Sequence, residues 1–181
     1  MTETTPKSAY TLGPDEKAAP VMAYTDSAIL WGEVVVKELI RVSIWLRTNN
    51  APGRIPLYNA RAVLNGSGPT TRPVPFNQVF IATSQILMFH LIPPTRDPLD
   101  YDPSEPNRRM QPVSILINNF RVDGSLRLSS RSDLGTYLEV TRETFTSVYD
   151  ARITNLNNPA FGTISVPYVI VRQEPSVFTC A

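Results

Sequence analysis

Apolar and polar residues alternate along several short stretches of this chain. Apolar side chains recur at even-numbered positions in residues 40–46 and again in residues 120–128. The same spacing of two appears on the stretch that follows in each half, in residues 58–64 and 149–153. A period of two turns one face of a strand towards a core and the other towards solvent. The pattern therefore predicts a series of short strands and an all-β fold.

The alternating segments occur twice in the same order. Residues 57–61 read LYNAR, and residues 148–152 read VYDAR. Two further pairs of segments match: residues 34–47 with 114–127, and residues 79–82 with 168–171. Three ordered matches are difficult to obtain by chance, so we predict an internal duplication with about five strands in each copy.

The duplication and the local composition divide the chain into four predicted segments. These are an extended arm at 1–25, a first β-barrel at 26–92, a Pro-rich linker at 93–112 and a second β-barrel at 113–181. The arm is polar and lacks periodicity, so a neighbouring chain is expected to hold it in place. Residues 26–33 are predicted to be a turn or the start of a helix. The linker holds six of the seventeen prolines, which predicts a stiff, exposed connection.

The spacing between matched residues changes along the chain. Arg47 and Arg127 are 80 positions apart, whereas Tyr58 and Tyr149 are 91 positions apart. The difference predicts an eleven-residue insertion in the second copy, at roughly residues 130–144, with one helical turn that caps the barrel.

The size of each copy limits its architecture. Five short, twisted strands with tight turns predict a small Sm-like or SH3-like barrel, because so small a sheet protects its edges best by closing. Units of about 65 to 70 residues bury little apolar surface alone. The two barrels are therefore expected to pack on each other or on another chain.

Composition narrows the range of partners. The formal net charge is +1, and no continuous basic run provides a phosphate-binding stripe, so nucleic acid is not expected as the main partner. A single cysteine excludes an internal disulfide framework and favours a cytoplasmic location. No apolar stretch reaches the length of a membrane span or a signal sequence, so membrane insertion is not expected.

Three stretches of the second copy carry a resemblance to a known family. They are NFRVDGSL at 119–126, DLGTYL at 133–138 and FTSVYDAR at 145–152. With these stretches, residues 112–181 resemble a family of uncharacterised bacterial small β-barrel domains that is frequent in the Chloroflexota. The first copy lacks the middle motif and is similar only in its strands. The resemblance implies a small all-β barrel and no catalytic residue.

The residues that could support catalysis are few. His90 is the only histidine, and one histidine does not make a convincing Ser-His-Asp arrangement or metal site. Cys180 has no cationic neighbour in the sequence of the kind that activates a thiol. The acidic residues of the linker lack the alternating order of a calcium loop, and no phosphate-binding glycine motif or C-x-x-C occurs. We predict no catalytic, cofactor or metal site, and no enzyme activity.

Arginines at corresponding positions of the two copies are the best candidates for an interface. They are Arg41, Arg47 and Arg61 in the first copy and Arg121, Arg127 and Arg152 in the second. A guanidinium group can pair with carboxylates or phosphates of a partner, or it can form ion pairs within its own chain. Trp45 is predicted either as an outward interface anchor or as a residue buried against the second copy.

The sequence thus predicts a non-enzymatic binding or structural assembly subunit of a larger complex. It would contact other protein chains, a second copy of itself among them, through barrel edges, the arm and the linker. The alternative is a barrel that binds a small ligand or nucleic acid with the paired arginines and aromatic side chains.

Overall fold

A computed structural model describes residues 10–48, 51–65, 72–158 and 161–180. Its strands are β1 (Glu16–Tyr24), β2 (Ala28–Lys37), β3 (Arg54–Leu64), β4 (Val74–Ala82), β5 (Met88–Leu91), β6 (Arg108–Ile117), β7 (Phe120–Ser129), β8 (Phe145–Asn155), β9 (Thr163–Arg172) and β10 (Ser176–Cys180). The helical elements are α1 (Leu134–Val140) and two short 3-10 helices, Val42–Arg47 and Thr83–Gln85.

All of these strands belong to one antiparallel sheet. Its order is β10-β6-β7-β8-β9-β5-β1-β2-β3-β4. The all-β prediction is confirmed. The expectation of two separate, closed barrels is not, because the sheet is continuous across both halves and ends in β10 on one side and β4 on the other.

The two halves of the sheet repeat one strand order. The first half runs β5-β1-β2-β3-β4, and the second runs β10-β6-β7-β8-β9. Strand β9 then pairs with β5, which joins the halves head to tail. The repeated order supports the internal duplication that the sequence predicts.

A glycine marks the same irregularity in each half. Gly32 interrupts the pairing of β2 with β3, and Gly124 interrupts the pairing of β7 with β8. A Cβ atom at Gly32 would lie 2.5 Å from the Tyr58 carbonyl oxygen. A Cβ atom at Gly124 would lie 2.8 Å from the Tyr149 carbonyl oxygen. On the partner strands, Asn59 and Asp150 have φ angles of 48° and 50°, which Asn and Asp tolerate better than most residues. The LYNAR and VYDAR segments therefore contain matching β-bulges, in which two residues of β3 or β8 lie opposite one glycine.

The segment 40–47 is not the strand that its alternation predicts. Val42–Arg47 form a 3-10 helix, and its buried residues are Val42, Ser43, Trp45 and Leu46. Burial at spacings of three and four residues is a helical pattern, and over so short a stretch it overrides an apparent period of two. The backbone N–H of Ser43 donates to Asp97 Oδ2 at 2.8 Å, which ties this helix to the linker.

Three of the predicted segments differ from the structure in their boundaries, because strands extend into them. Within the predicted arm, residues 16–24 form β1, because alternate side chains from Ala19 onward are buried in the core. Residues 28–33, predicted as a turn or helix start, lie in β2. The last part of the predicted linker, from residue 108, is the start of β6. Residues 1–9 of the arm lie outside the described residues.

The predicted insertion in the second copy is also wrong. Helix α1 does lie where a helical turn was predicted, with Asp133 accepting a hydrogen bond from the Thr136 N–H as its N-cap. However, the 3-10 helix Val42–Arg47 occupies the equivalent place between β2 and β3. The apparent insertion arose because this helix was aligned with strand β7.

The two halves share their hydrophobic cores. The first core lies among β1–β5 and includes Phe145 and Ile170 from the second half. The second core lies among β6–β9 and includes Tyr24, Ile29 and Met88 from the first half. Because each core is completed by the other half, the junction at β5 and β9 is part of the interior.

Candidate functional site

Three of the predicted interface arginines bind the linker of their own chain. Arg41 Nη1 donates to the carbonyl oxygen of Leu99 at 3.3 Å. Arg127 Nη2 donates to Glu105 Oε2 at 2.6 Å, and its guanidinium lies 4.4 Å from the ring centroid of Tyr101. Arg47 reaches the linker at Asp100, as described below. Arginines of both halves therefore bind the linker segment, residues 93–107, to the body of the protein.

The remaining candidates are separate from this group. Arg121 pairs with Asp123 on its own strand at 2.9 Å. Arg61 and Arg152 are exposed at matching positions after the bulges of β3 and β8. Trp45 is only 9% exposed and belongs to the first core. It is thus an interior residue of the first half, in a core that Phe145 and Ile170 of the second half complete.

Asp100 is the centre of a polar cluster at the junction. Its Oδ1 accepts a hydrogen bond from the Tyr149 hydroxyl at 2.8 Å. Its Oδ2 accepts from the Tyr168 hydroxyl at 3.4 Å and from Arg47 Nη1 at 3.2 Å. Arg47 also pairs with Glu143 at 2.8 Å and donates to the Ser147 hydroxyl. The cluster thereby connects the 3-10 helix of the first half, the linker, and strands β8 and β9 of the second half.

The chemistry of this cluster favours a structural clamp. Burial, together with the nearby Asp100 carboxylate, raises the pKa of Tyr149. Burial likewise raises the pKa of Tyr168 to about 12. Both phenols are therefore protonated donors at neutral pH, and they cannot act as bases. Both carboxylate oxygens of Asp100 accept hydrogen bonds from side chains of its own chain, so its contacts are those of a structural residue. We call this group of side chains around Asp100 the clamp.

A cavity of about 360 Å³ lies beside the clamp. Its lining includes Ser43, Arg96, Asp97, Asp100, Pro167 and Tyr168. It is large enough for a small molecule, with polar groups placed among apolar walls. Sequence reasoning did not find this cavity, because the sequence alone does not indicate that the linker folds back over the junction.

We expect removal of the clamp to release the linker. In Asp100→Ala, three donors lose a charged acceptor at once. Each hydrogen bond to a charged group contributes about 1.5–3 kcal/mol to stability. Limited trypsin digestion at Arg96 should become roughly tenfold faster or more, since opening of this segment becomes easier. Asp102→Ala is the matched control, because the hydrogen bonds that the Asp102 side chain accepts come from Ser104, two residues further along the linker. Equal cleavage rates in the two variants would contradict the clamp.

The two end strands of the sheet form the other distinctive surface. The β4 edge, residues 74–82, exposes Val74, Phe76 and Phe80. The β10 edge, residues 176–180, exposes Val177. Neither strand contains a charged residue. Exposed, uncharged edge strands with apolar side chains are sites of strand addition.

The two residues with potential reactivity have ordinary surroundings. His90 is buried, with Nδ1 at 2.8 Å from the carbonyl oxygen of Leu91 and Nε2 at 3.1 Å from the Tyr24 hydroxyl. The carbonyl can only accept, so Nδ1 carries the proton, and Nε2 is an acceptor that shares the Tyr24 hydroxyl with Met22 Sδ. Burial lowers the pKa of His90 to about 4. Cys180 is exposed on the β10 edge.

Among the described residues, no group of three or more His, Cys, Asp or Glu side chains is arranged to hold a metal ion. In the same ranges, no helix combines the length and apolar character needed to cross a bilayer. The resemblance of residues 112–181 to a bacterial small-barrel family stays a prediction. No protein-family model, no curated protein and no solved structure matches this chain.

Proposed function

We propose that this chain is a non-enzymatic, cytoplasmic assembly subunit that joins other protein chains through the end strands of its sheet. The observation that carries the proposal is that β4 and β10, the end strands of the sheet in the described part of the chain, are uncharged, and that β4 exposes three large apolar side chains. An edge strand offers unpaired backbone N–H and C=O groups, and the apolar side chains add affinity when a partner strand covers them.

We further infer that each half is a small barrel of the Sm-like or SH3-like type. Two features support this inference. Each half has the same order of five strands, and each has a bulge opposite a glycine, in the pairing of β2 with β3 and of β7 with β8. Bulges increase local twist and bend a sheet towards closure. Each half then presents its binding edges at the rim of a curved sheet.

The use of the arginines also favours protein partners over nucleic acid. Arg47, Arg121 and Arg127 already pair with carboxylates of the chain itself. Because their charges are neutralised in this way, these three arginines have little capacity to release counterions from a phosphate backbone.

The test is the native mass and composition of the tagged chain recovered from its own host. We expect a complex well above the 20.2 kDa of one chain, with protein components in fixed stoichiometry and a mass that nuclease treatment leaves unchanged. Recovery as a lone 20.2 kDa chain would refute the assembly function.

A second candidate function is small-ligand binding in the cavity beside Asp100. The cavity of about 360 Å³ and its mixture of charged and apolar lining favour it. A screen of metabolites by thermal shift, with Asp97→Ala as the comparison, distinguishes the two. A ligand that stabilises the natural chain but not Asp97→Ala would favour the cavity.

A further inference from the structure

We propose that β4 of one copy of this chain pairs with β10 of a second copy, so that the chains associate head to tail. The inference rests on the assembly function proposed above and names the partner. It follows from the junction inside each chain, where β9 of the second half pairs with β5 of the first half. Because the halves repeat one strand order, β4 is the counterpart of β9, and β10 is the counterpart of β5.

The equivalence can be followed residue by residue. Val21 pairs with Gly32 and Val113 with Gly124, so β1 and β6 superpose through their bulge glycines. From these anchors the β5 and β10 registers follow: Met88 corresponds to Val177, and Phe89 to Phe178. From Tyr58 and Tyr149 the β4 and β9 registers follow: Phe80 corresponds to Ile170, and Ile81 to Val171.

These correspondences fix the register between two copies. Inside the chain, Met88 lies opposite Val171, and Phe89 lies opposite Ile170. Between two copies, Val177 of one should therefore lie opposite Ile81 of the other, and Phe178 opposite Phe80. The pairing is antiparallel, as it is at the junction.

The exposure of the counterparts agrees with a missing neighbour. At the junction, Ile170 enters the core of the first half and Met88 enters the core of the second half, and both are fully buried. Their counterparts at the free edges, Phe80 and Val177, are 61% and 59% exposed. Pairing of β4 with β10 would bury each of them in the core of the opposite copy, as the junction already does for Ile170 and Met88.

The residues that this register pairs include neither a charge nor a proline, because Pro75 of β4 lies beyond the end of β10 in this alignment. Proteins that must stay apart place charged residues, above all lysine, on their edge strands. Strand β4 reads VPFNQVFIA and β10 reads SVFTC, so neither carries such a charge. The contact is between two different surfaces, and each chain keeps one free edge of each kind, so association continues until a ring closes or a filament forms.

Engineered disulfides test the register directly in the full chain. In a Cys180→Ser background, Phe80→Cys combined with Phe178→Cys should form intermolecular disulfides under mild oxidation and give a ladder on non-reducing gels. The matched control moves the second cysteine by one residue, to Thr179→Cys. That side chain points to the other face of the strand, so cross-linking should fall at least tenfold. Equal cross-linking of the two pairs, or none in either, would overturn the proposal.

Charge on the edge tests the assembly itself. The purified natural chain should have a native mass that is a multiple of 20.2 kDa. Phe80→Lys and Val177→Lys should each reduce it to that of one chain, while circular dichroism and thermal unfolding confirm that each variant is folded. Leu39→Lys is the control, because Leu39 is 96% exposed and follows β2, which is not an end strand of the sheet. It should keep the assembly.

The outcome also separates this proposal from the broader one. If the purified chain is monomeric while the chain recovered from its host carries other proteins, the assembly function stands and self-pairing is refuted. If purified oligomers persist in Phe80→Lys, self-association uses another surface and the β4–β10 pairing is refuted.

Discussion

Replacing Gly32 with alanine is expected to lower the free energy of unfolding by about 3 kcal/mol, because the new methyl group has no space. Its Cβ would lie 2.5 Å from the Tyr58 carbonyl oxygen and 3.0 Å from both Ala60 Cα and Leu57 Cγ. Two of these neighbours are backbone atoms of β3, so relief requires the strand to move away. Urea unfolding monitored by circular dichroism measures the change as a lower midpoint at unchanged slope.

Two further alanine variants complete this test. Gly124→Ala should cost about 2 kcal/mol, because its Cβ meets Val148 Cγ1 at 2.7 Å and the Tyr149 carbonyl oxygen at 2.8 Å. Gly53→Ala should change stability by no more than about 0.5 kcal/mol, because no atom lies within 4 Å of its added Cβ. If Gly32→Ala behaved like Gly53→Ala, the strands at the bulge would not approach as closely as described.

The duplication could be predicted from the sequence because its most specific part encodes local geometry. A residue with positive φ is restricted mainly to Gly, Asn and Asp, and Asn59 and Asp150 both have such angles. The close approach of each glycine to the facing strand adds a second local constraint. Such local constraints allow only a few residue types at a position, so the two copies keep similar residues there and LYNAR and VYDAR remain recognisable as a pair.

The elements between these anchors were harder to predict. Over residues 40–47, alternate residues and residues spaced by three or four are both apolar, so the two periods cannot be distinguished within these eight positions. Burial decided the outcome, since Val42, Trp45 and Leu46 pack into the first core as a helical turn. The wrong choice there produced both the misaligned repeat and the insertion that the structure does not have.

The candidate sites depend on long-range placement, which composition does not encode. The sequence identified the arginines, but it did not indicate that Arg41, Arg47 and Arg127 would bind the chain's own linker. The central residue of the cluster, Asp100, is one of several acidic residues of the predicted linker, and nothing in the sequence distinguishes it from the others. The alternation predicts a strand only at residues 78–82 of the β4 edge, and only the sheet order shows that this strand lies at an end.

Lowering the pH from 7 to 5 is expected to destabilise the fold by about 2 kcal/mol through His90 alone. Burial lowers the pKa of His90 to about 4 in the folded chain, whereas an unfolded histidine titrates near about 6.5. Between these values the unfolded state binds more protons, so stability is complete above about pH 6.5 and is lost as the pH falls towards 4. Chemical denaturation at a series of pH values measures this loss.

Two variants isolate the histidine from other groups that titrate. His90→Gln has no titrating ring, so its stability should depend on pH less steeply, by about 2 kcal/mol between pH 7 and 5. Tyr24→Phe removes the hydroxyl that lies 3.1 Å from His90 Nε2 but keeps the buried ring, so the pH dependence should persist. The window ends at pH 5 because ordinary carboxylates begin to protonate below it. A natural chain with no steeper pH dependence than His90→Gln would mean that the histidine can be protonated without cost, and hence that it is open to water.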